Sequence, residues 1–252
     1  MVKNDDRLIT PADIVDAVHL LTRIPVPPND APRGADAAWA YPLAGILVGA
    51  LAAATGLLGH ALGLPAPLCA LVMLATLVIS TGALHEDGLA DTADGLWGGW
   101  TPERRLEIMK DSRIGAYGVI ALFFSLSARW AALWMLFSAS PEAAAAAVLI
   151  ASSASRAMMP QIMAHLPNAR MDGLSAQVGD VPFTTALLAL GLAGIIAIIF
   201  AGWGGIMALI WAVLVTFLLA RIALAKIGGQ TGDILGASQQ LAEIAILLSL
   251  LA

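Results

Sequence analysis

The sequence predicts an all-α membrane protein of about seven transmembrane helices, with its functional site at the cytoplasmic face. Three observations lead to this prediction. Apolar residues make up 59% of the 252 residues and charged residues only 12%, which is far from the composition of soluble globular proteins. The apolar residues are gathered in segments of about 20 residues, the length that crosses a hydrocarbon core. The basic residues fall mainly between these segments, in loops on one side.

The predicted spans follow one another without a linker or a separate soluble domain, so residues 1–252 are expected to form a single integral-membrane domain. The last span is the least apolar, because Gln239, Gln240 and Glu243 interrupt it. The seven predicted spans are residues 40–62, 65–84, 117–138, 142–163, 184–201, 204–225 and 235–252.

Residues 1–38 precede the first span and form a polar, proline-marked arm, expected in the cytoplasm or at the membrane interface. Within this arm, Ile14, Val18 and Leu21 recur at helical spacing, which predicts a short helix over residues 13–21. Such a helix is too short to cross a bilayer. It lies either in the membrane interface or on the protein's own surface, and the sequence leaves both open.

Basic residues predict the orientation in a bacterial inner membrane, because lysine and arginine are enriched in cytoplasmic loops. If the spans alternate, the loops near residues 63, 140 and 202 lie together on one side and contain neither lysine nor arginine. The N-terminal arm and the loops of the other side are therefore predicted to be cytoplasmic. Together with the helix end at Arg221, that side contains eleven basic residues, namely Lys3, Arg7, Arg23, Arg33, Arg104, Arg105, Lys110, Arg113, Arg170, Arg221 and Lys226.

The stretch from His85 to Gly118 is unusually charged for this chain, since it holds seven of the eighteen carboxylates. Asp87, Asp91 and Asp94 are spaced four and three residues apart. If the second span continues past residue 84 as a helix, all three carboxylates project from one face of it. The glycines from Gly95 onward are expected to end this helix.

A second helix is predicted directly after these glycines. Thr101 suits the N-cap position and Pro102 the first helical position. On this helix, Glu107 and Asp111 are again four residues apart on one face. The stretch therefore presents five carboxylates on two short consecutive helices.

Five carboxylates that face one another would repel strongly unless a cation lay between them. Oxygen ligands favour a hard cation, so we expect one or two Mg²⁺ ions, for which Mn²⁺ can substitute. Lys110, Arg113 and Arg104 would then neutralise the phosphate oxygens of a substrate. His85, next to the cluster, would bind metal or phosphate. The alternative is a solvated acidic loop that pairs with its own arginines, with His85 as an ordinary hydrogen-bonding residue.

Two further arginines, Arg129 and Arg156, fall inside predicted spans. A charge inside the membrane is costly, so each indicates a function or a specific partner. We expect Arg156, which is nearer the cytoplasmic end of its span, to serve function. For Arg129 a structural ion pair and a functional role are equally open.

Two later cytoplasmic loops carry polar residues that membrane topology alone does not require. The second is glycine-rich at a helix start, which suits backbone contacts with a ligand. Its alternative interpretation is a tight turn between helices, capped by Asp233. The polar residues concerned are Arg170 and Asp172 in the first loop, and Gln230, Thr231, Asp233 and Glu243 in the second.

The central motifs, H-x-D-G-L-A-D-T-A-D-G and R-x-L-E-I-M-K-D-S-R-I-G-A-Y-G, resemble the cobalamin synthase (adenosylcobinamide-GDP ribazoletransferase) family. The segments T-R-I-P-V-P, Y-P-L-A-G, S-R-A-M-M-P, A-R-x-D-G-L and G-G-x-T-G-D-x-L-G-A are also similar to that family, and they spread over most of the chain. Glu86 departs from the family pattern, which usually has an apolar residue there. It adds an acid beside the expected metal site.

The resemblance implies a polytopic, Mg²⁺-dependent enzyme of the last assembly stage of adenosylcobalamin. Such enzymes join α-ribazole, or its 5′-phosphate, to adenosylcobinamide-GDP and release GMP. The bilayer is then a partner, and a homo-oligomer or an association with other cobalamin-assembly enzymes stays open. The net charge of −5 gives no indication of a nucleic-acid partner.

The carboxylate spacing is also similar to that of the CDP-alcohol phosphotransferases, which carry D-x-x-D-G and D-x-x-x-D motifs on consecutive membrane helices. By this analogy, Asp91, Asp94 and Glu107 hold metal, and Asp87 is a further ligand. Asp111 then lies nearest the attacking hydroxyl, as a general base or as a metal ligand that positions it. The expected catalytic residues are Asp111, Lys110 and Arg113. The expected substrate-binding residues are Arg23, His85, Arg104, Arg156, Arg170, Asp172, Gln230, Thr231, Asp233 and Glu243.

Two other classes of protein are considered. An aspartate-rich membrane prenyltransferase also uses Mg²⁺, but it typically carries a second acidic motif in a later loop, which Asp172 and Asp180 match poorly. A small-solute transporter places polar residues near the middle of the membrane and often shows repeated halves. Here the polar residues gather at one face and no repeat is evident.

Overall fold

The computed structural model describes residues 7–252; residues 1–6, with Lys3 and the start of the predicted arm, lie outside the described residues. The all-α prediction is confirmed, since within residues 7–252 the only β-type pairing is an isolated bridge between Asn168 and Gln230. The helices are α1 (Ala12–Leu21), the 3-10 helix η1 (Gly34–Ala40), α2 (Tyr41–Ala61), α3 (Ala66–Thr81), α4 (Leu84–Gly98), α5 (Pro102–Ile108), α6 (Ala116–Ala139), α7 (Pro141–His165), α8 (Leu174–Val178), α9 (Phe183–Ile227) and α10 (Gly232–Ser249).

Four helical segments of the described chain are long and apolar enough to cross a membrane, namely η1 together with α2, then α6, α7 and α9. The pair α3 and α4 meets the same test only when the two are taken together, which would make five. The structure therefore agrees with a membrane protein. The count of seven crossings stays a prediction.

The chain bends by 85° between α3 and α4. Gly82 and Ala83 both adopt the left-handed region, with φ of 64° and 58°, so that α3 ends and α4 starts in a new direction. Glycine takes this conformation freely, whereas alanine does so at a cost of about 1–2 kcal/mol. The second span therefore does not continue past residue 84 as one helix, although the acidic stretch is helical as predicted.

The 45 residues of α9 contain a reversal at Gly202, which has the non-helical angles φ 54° and ψ −125°. A Cβ atom on Gly205 would lie 2.1 Å from the carbonyl oxygen of Ala197, so the chain on either side of Gly202 packs back on itself. In a straight helix these two residues would be about 12 Å apart. The predicted spans 184–201 and 204–225 correspond to the two arms.

Small residues bring α2 and α7 into backbone contact. A Cβ atom on Gly45 would lie 2.1 Å from the carbonyl oxygen of Ser152, and one on Gly49 would lie 3.1 Å from that of Val148. Inside a membrane the hydrophobic effect does not drive helices together. Close van der Waals packing between faces of small residues stabilises the contact there. The most buried of the apolar helices is α7, which packs on α2, α6, α9 and α10.

The N-terminal helix α1 packs on η1 and α2, with Val18 and Leu21 buried and Ile14 37% exposed. Asp13 is fully buried in this contact, where its carboxylate accepts hydrogen bonds from Trp39 Nε1 at 2.7 Å and from Arg33 at 2.9 Å. This arrangement favours the second of the two predicted locations for the helix, the protein's own surface.

Candidate active site

The acidic helix α4 crosses α10 with its backbone almost in contact. A Cβ atom on Gly88 would lie 3.0 Å from the carbonyl oxygen of Asp233, and one on Gly236 would lie 3.2 Å from the Cα of Gly88. Only glycines allow helices to approach so closely. This crossing places Asp87 and Asp91 of α4 near Asp233 of α10, a proximity that sequence spacing alone does not reveal.

The segment after α4 is fixed by its caps, largely as predicted. Thr101 is the N-cap of α5 and accepts a hydrogen bond from the Arg104 amide, and Pro102 takes the first position. However, α5 ends at Ile108. Asp111 therefore lies in the loop beyond the helix, and the expectation that Glu107 and Asp111 share one helical face is wrong.

A cavity of about 450 Å³, here called the acidic cavity, lies between α4 and the loop that follows α5. It is lined by Asp87, Asp91, Lys110 and Asp111, among others. Three of the five expected metal ligands and one expected catalytic cation thus share one cavity. Carboxylates and a lysine around an open space are the groups that handle a metal-bound phosphate.

Electrostatic crowding is strongest at Asp91. Partial burial, together with the charges of Asp87 and Asp233, raises the pKa of the Asp91 carboxyl from its ordinary value of 3.8 to about 7. Arg170 opposes this shift but does not cancel it. Burial and the neighbouring carboxylates therefore both disfavour the ionised form of Asp91, and a bound cation would favour it again.

Asp94 and Glu107, the other two expected ligands, are engaged elsewhere. Asp94 is buried, and its two carboxylate oxygens accept hydrogen bonds from the amides of Gly115 at 2.7 Å and Gly118 at 2.9 Å. It thereby holds the N-terminus of α6. Glu107 is about two-thirds exposed and pairs with Arg104 at 2.9 Å. Neither residue lines the acidic cavity.

Among residues 7–252, no group of three or more His, Cys, Asp or Glu side chains stands close enough together to hold a metal ion as arranged. The donor chemistry nevertheless fits Mg²⁺, because Asp87, Asp91 and Asp111 offer only oxygen ligands around one cavity. The fit extends to these three carboxylates and not to Asp94 or Glu107.

Basic side chains link the acidic cavity to the later loops. Lys110 pairs with Asp172, and this contact lowers the pKa of the Asp172 carboxyl. Arg170 pairs with Asp233 at 3.1 Å and lies 3.8 Å from Asp172. The loop over residues 168–174 is therefore held against both α10 and the loop after α5.

Three other arginines of the expected site, Arg23, Arg104 and Arg113, do not line the acidic cavity. Arg113 pairs with Asp111 at 2.6 Å, and this hydrogen bond lowers the pKa of the Asp111 carboxyl. Arg104 is turned to Glu107, as described above. Arg23 is exposed and lies over Gly82 at the bend between α3 and α4, where a Cβ atom would be 2.5 Å from its Nε atom.

A second cavity of about 290 Å³, here called the apolar cavity, lies on the other side of Asp87. Its polar end carries His85, Asp87, Arg170 and Asp233. The remainder of its wall is largely apolar and comes from α1, α2, α7 and α8; it includes Leu20, Tyr41, Met159, Met163 and Val178. Asp87 borders both cavities.

Glu86, the residue that departs from the family pattern, belongs to a buried charge network. It accepts a hydrogen bond from Arg129 at 2.8 Å, and Arg129 also pairs with Glu243 at 2.8 Å. Gln240 donates to Glu86 at 3.1 Å and Gln239 donates to Ser155 at 2.9 Å, so the network joins α4, α6, α7 and α10. Arg129 therefore takes the structural ion pair that was one of its two expected roles.

The same network accounts for Glu243, which is 1% exposed and lies outside both cavities. Its ion pair with Arg129 gives Glu243 a structural role, whereas the sequence predicted a contact with substrate. Arg156 is also buried, and its Nη1 donates to the carbonyl of Ser152 at 2.8 Å. A signal for this network was present in the sequence, since Glu243, Arg129 and Arg156 interrupt otherwise apolar segments.

Gln230 and Thr231 also have structural partners. Gln230 is buried, and its side chain accepts from Ser175 at 2.7 Å and donates to Asn168 at 2.5 Å. Thr231 is the N-cap of α10, and it accepts from the amide of Ile234. The turn is therefore capped by Thr231, not by Asp233 as the alternative interpretation had it.

The fold and its charged cavities define a class, an all-helical membrane protein in which acidic and basic side chains surround two adjoining cavities. The family model described as cobalamin-5-phosphate synthase matches residues 13–251, and the chain belongs to this family. It is accordingly a transferase of cobalamin synthesis.

Several curated relatives match nearly the whole chain, and each is named adenosylcobinamide-GDP ribazoletransferase. The relative from Bradyrhizobium diazoefficiens is 47% identical over 94% of this chain and 92% of its own length. The relative from Azorhizobium caulinodans is 46% identical over 95% of both chains. The relative from Mesorhizobium japonicum is 45% identical over 95% of this chain and 94% of its own. No solved structure matches the chain significantly.

Proposed function

We propose that the protein transfers the adenosylcobinamide phosphate of adenosylcobinamide-GDP to α-ribazole or its 5′-phosphate, releases GMP and depends on Mg²⁺. The names of the relatives supply the two substrates. The observation that carries the proposal is the acidic cavity, in which Asp87, Asp91 and Asp111 lie with Lys110 around one space. Carboxylate oxygens can bind a metal ion, and the neighbouring lysine carries a positive charge, so together they suit the binding of a diphosphate.

In this proposal Asp87, Asp91 and Asp111 hold the metal, which when bound supplies positive charge to the oxygens of the diphosphate. Lys110 contributes a point charge to the same oxygens. Asp94 fixes the start of α6 and so sets the wall of the cavity. Glu107 is assigned no metal contact.

The reaction exchanges one phosphorus–oxygen bond for another. A ribose hydroxyl of the acceptor forms a bond to the cobinamide-linked phosphorus, and the bond from that phosphorus to the bridging oxygen breaks. GMP leaves with the electron pair, and the hydroxyl proton passes to a carboxylate of the cavity or to water. Pairing with Arg113 lowers the pKa of the Asp111 carboxyl, which makes this carboxylate a weak base. In this proposal Asp111 therefore holds the cation and does not accept the hydroxyl proton.

The proposal includes an orientation. The two arms of α9, together with α2, α3, α6, α7 and α10, would give seven crossings of a bacterial inner membrane, with the N-terminus and the acidic cavity on the cytoplasmic side. The enrichment of lysine and arginine in the loops of that side supports it. The chain would form one integral-membrane domain, as a homo-oligomer or in association with other cobalamin-assembly enzymes.

A transfer assay on the protein in lipid vesicles tests the proposed function. With adenosylcobinamide-GDP, α-ribazole and Mg²⁺, we expect stoichiometric GMP and a cobalamin product, and we expect neither when the acceptor or the metal is left out. A second reaction with an isoprenyl diphosphate is expected to yield no pyrophosphate. Pyrophosphate release there, or GMP release without the acceptor, would contradict the proposal.

A further inference from the structure

The apolar cavity is not used by the chemistry described so far, although Asp87 connects it to the acidic cavity. Its volume of about 290 Å³ lies at the lower end of the range of small-molecule sites, which is roughly 300–1,000 Å³. A single nucleoside fits this size, whereas a corrinoid with its macrocycle does not. If the proposed function holds, the smaller of the two substrates is the candidate occupant.

Two residues at the polar end of the cavity each carry a buried nitrogen that lacks a hydrogen-bond partner within residues 7–252. His85 is 1% exposed and its Nε2 atom has no partner among the described residues, and the same is true of the buried Nη1 atom of Arg170. Buried polar atoms without partners are rare, because each costs about 1–3 kcal/mol. Asp87 and Asp233 line the same end of the cavity, and their carboxylate oxygens can accept hydrogen bonds from the hydroxyls of a ribose.

The apolar part of the cavity wall suits a flat apolar ring. Met159 and Met163 are 6% and 4% exposed, and the wall continues with Leu20, Tyr41 and Val178. A thioether side chain packs favourably against an aromatic ring. The edge of a guanine carries several donors and acceptors, and these walls would leave most of them unpaired. A benzimidazole, which has little hydrogen-bonding capacity, avoids that cost.

We infer that the apolar cavity is the acceptor subsite, which binds a ribonucleoside with an apolar bicyclic base. The base lies between the methionines of α7 and the side chains of α1 and α2. The ribose lies against His85, Asp87, Arg170 and Asp233, toward the acidic cavity. Asp87 then stands between the two substrates, and its place on the α4–α10 crossing fixes the distance between the two cavities.

A variant that fills the apolar end separates the two substrates kinetically. Val178 lies at the end of the short helix α8 and lines the apolar cavity but not the acidic cavity. Val178→Trp therefore reduces the space proposed for the base without changing a charge. We expect the KM for α-ribazole to rise about tenfold or more, with the KM for adenosylcobinamide-GDP within about twofold. Val72→Trp, the same change at a 36% exposed position of α3, is the control and is expected to leave both KM values unchanged. An unchanged KM for α-ribazole, or a rise confined to the corrinoid, overturns the inference.

Photolabelling of the wild-type protein gives a second test that needs neither a variant nor turnover. An azido-benzimidazole ribonucleoside is expected to label peptides that contain Tyr41, residues 159–163 or residues 174–178, and excess α-ribazole is expected to prevent this. Specific labelling of residues 110–114 instead would refute the inference. If the protein shows transfer activity but the label lies outside the apolar cavity, only the assignment of the subsite is refuted. If the label lies in the cavity but no transfer occurs, only the proposed function is refuted.

Discussion

Asp94 shows how one carboxylate of the central stretch serves the fold. Both of its oxygens accept backbone amides of the α5–α6 connection and α6, and Gly115 and Gly118 are close enough that a Cβ atom on either would lie 2.4 Å from one of these oxygens. A carboxylate that accepts two amides at a helix start is stabilised by both hydrogen bonds and by the helix dipole. Among residues 7–252, no backbone amide donates to its neighbours Asp87 and Asp91 in this way.

The first prediction follows from this difference. In Asp94→Asn, the side-chain amide nitrogen replaces one acceptor and faces a backbone donor. We expect the free energy of unfolding to fall by about 1–3 kcal/mol. Asp87→Asn, at an exposed position, is the matched control, with an expected change within about 0.5 kcal/mol. Unfolding in mixed detergent micelles measures both, and equal stability of the two variants would refute the structural role of Asp94.

The same residues mark what the sequence could predict of the site. Helical spacing correctly placed Asp87, Asp91 and Asp94 on one helix, because all three lie within α4. It grouped Glu107 with Asp111 incorrectly, because the helix that would align them ends at Ile108. Where a helix ends within a short segment depends on tertiary contacts, such as the hydrogen bond from Arg105 to the carbonyl of Lys226 at 2.9 Å. Spacing carries no information about those contacts.

At the scale of elements, α4 is held by partners on every side. It meets α10 through Gly88 and Gly236, and it meets α6 through the Glu86–Arg129 ion pair. At its C-terminus, Lys226 donates to the carbonyl of Leu96 at 2.8 Å. A positive charge at this end also favours the helix dipole. These contacts fix both the position of α4 and its rotation about its own axis. The carboxylates of Asp87 and Asp91 are thereby held in defined positions, as a catalytic site requires.

The second prediction concerns the buried arginine. Arg129→Met keeps the volume but leaves Glu86 and Glu243 buried without their cation, so we expect a loss of about 3–5 kcal/mol in unfolding free energy. Replacing both acids by glutamine in the same chain should recover much of the loss. The control is Arg104→Met at a 64% exposed side chain, for which we expect no measurable change. A stable Arg129→Met single variant would contradict the account of the network.

Sequence patterns predicted most of the elements because apolar length and caps are local signals. The bend between α3 and α4 was not predicted, since Ala83 is an unlikely residue for a left-handed conformation. The partner of Glu86 was not predicted either, because Arg129 lies 43 residues away in the chain. Both features depend on how helices pack, which is settled only in the assembled bundle.

In the whole molecule, both cavities are proposed to face the cytoplasm. The third prediction tests this with single cysteines in a Cys69→Ala background, since Cys69 is the chain's one cysteine. Met171→Cys, at an 89% exposed position, should react with a membrane-impermeant maleimide only after the cells are permeabilised. Leu62→Cys and Trp203→Cys, 75% and 72% exposed, should react in intact cells. Labelling of Met171→Cys from outside would refute the orientation.

The central claim is that the carboxylates of the acidic cavity hold a divalent cation which the transfer needs. Titration of the protein with Mn²⁺, followed by electron paramagnetic resonance, tests it most directly. We predict that Asp87→Asn, Asp91→Asn and Asp111→Asn each weaken Mn²⁺ binding by about tenfold or more and lose GMP release in parallel. Asp180→Asn, at an exposed position outside the cavity, should bind as the wild type does. Wild-type Mn²⁺ affinity in all three cavity variants would contradict the claim.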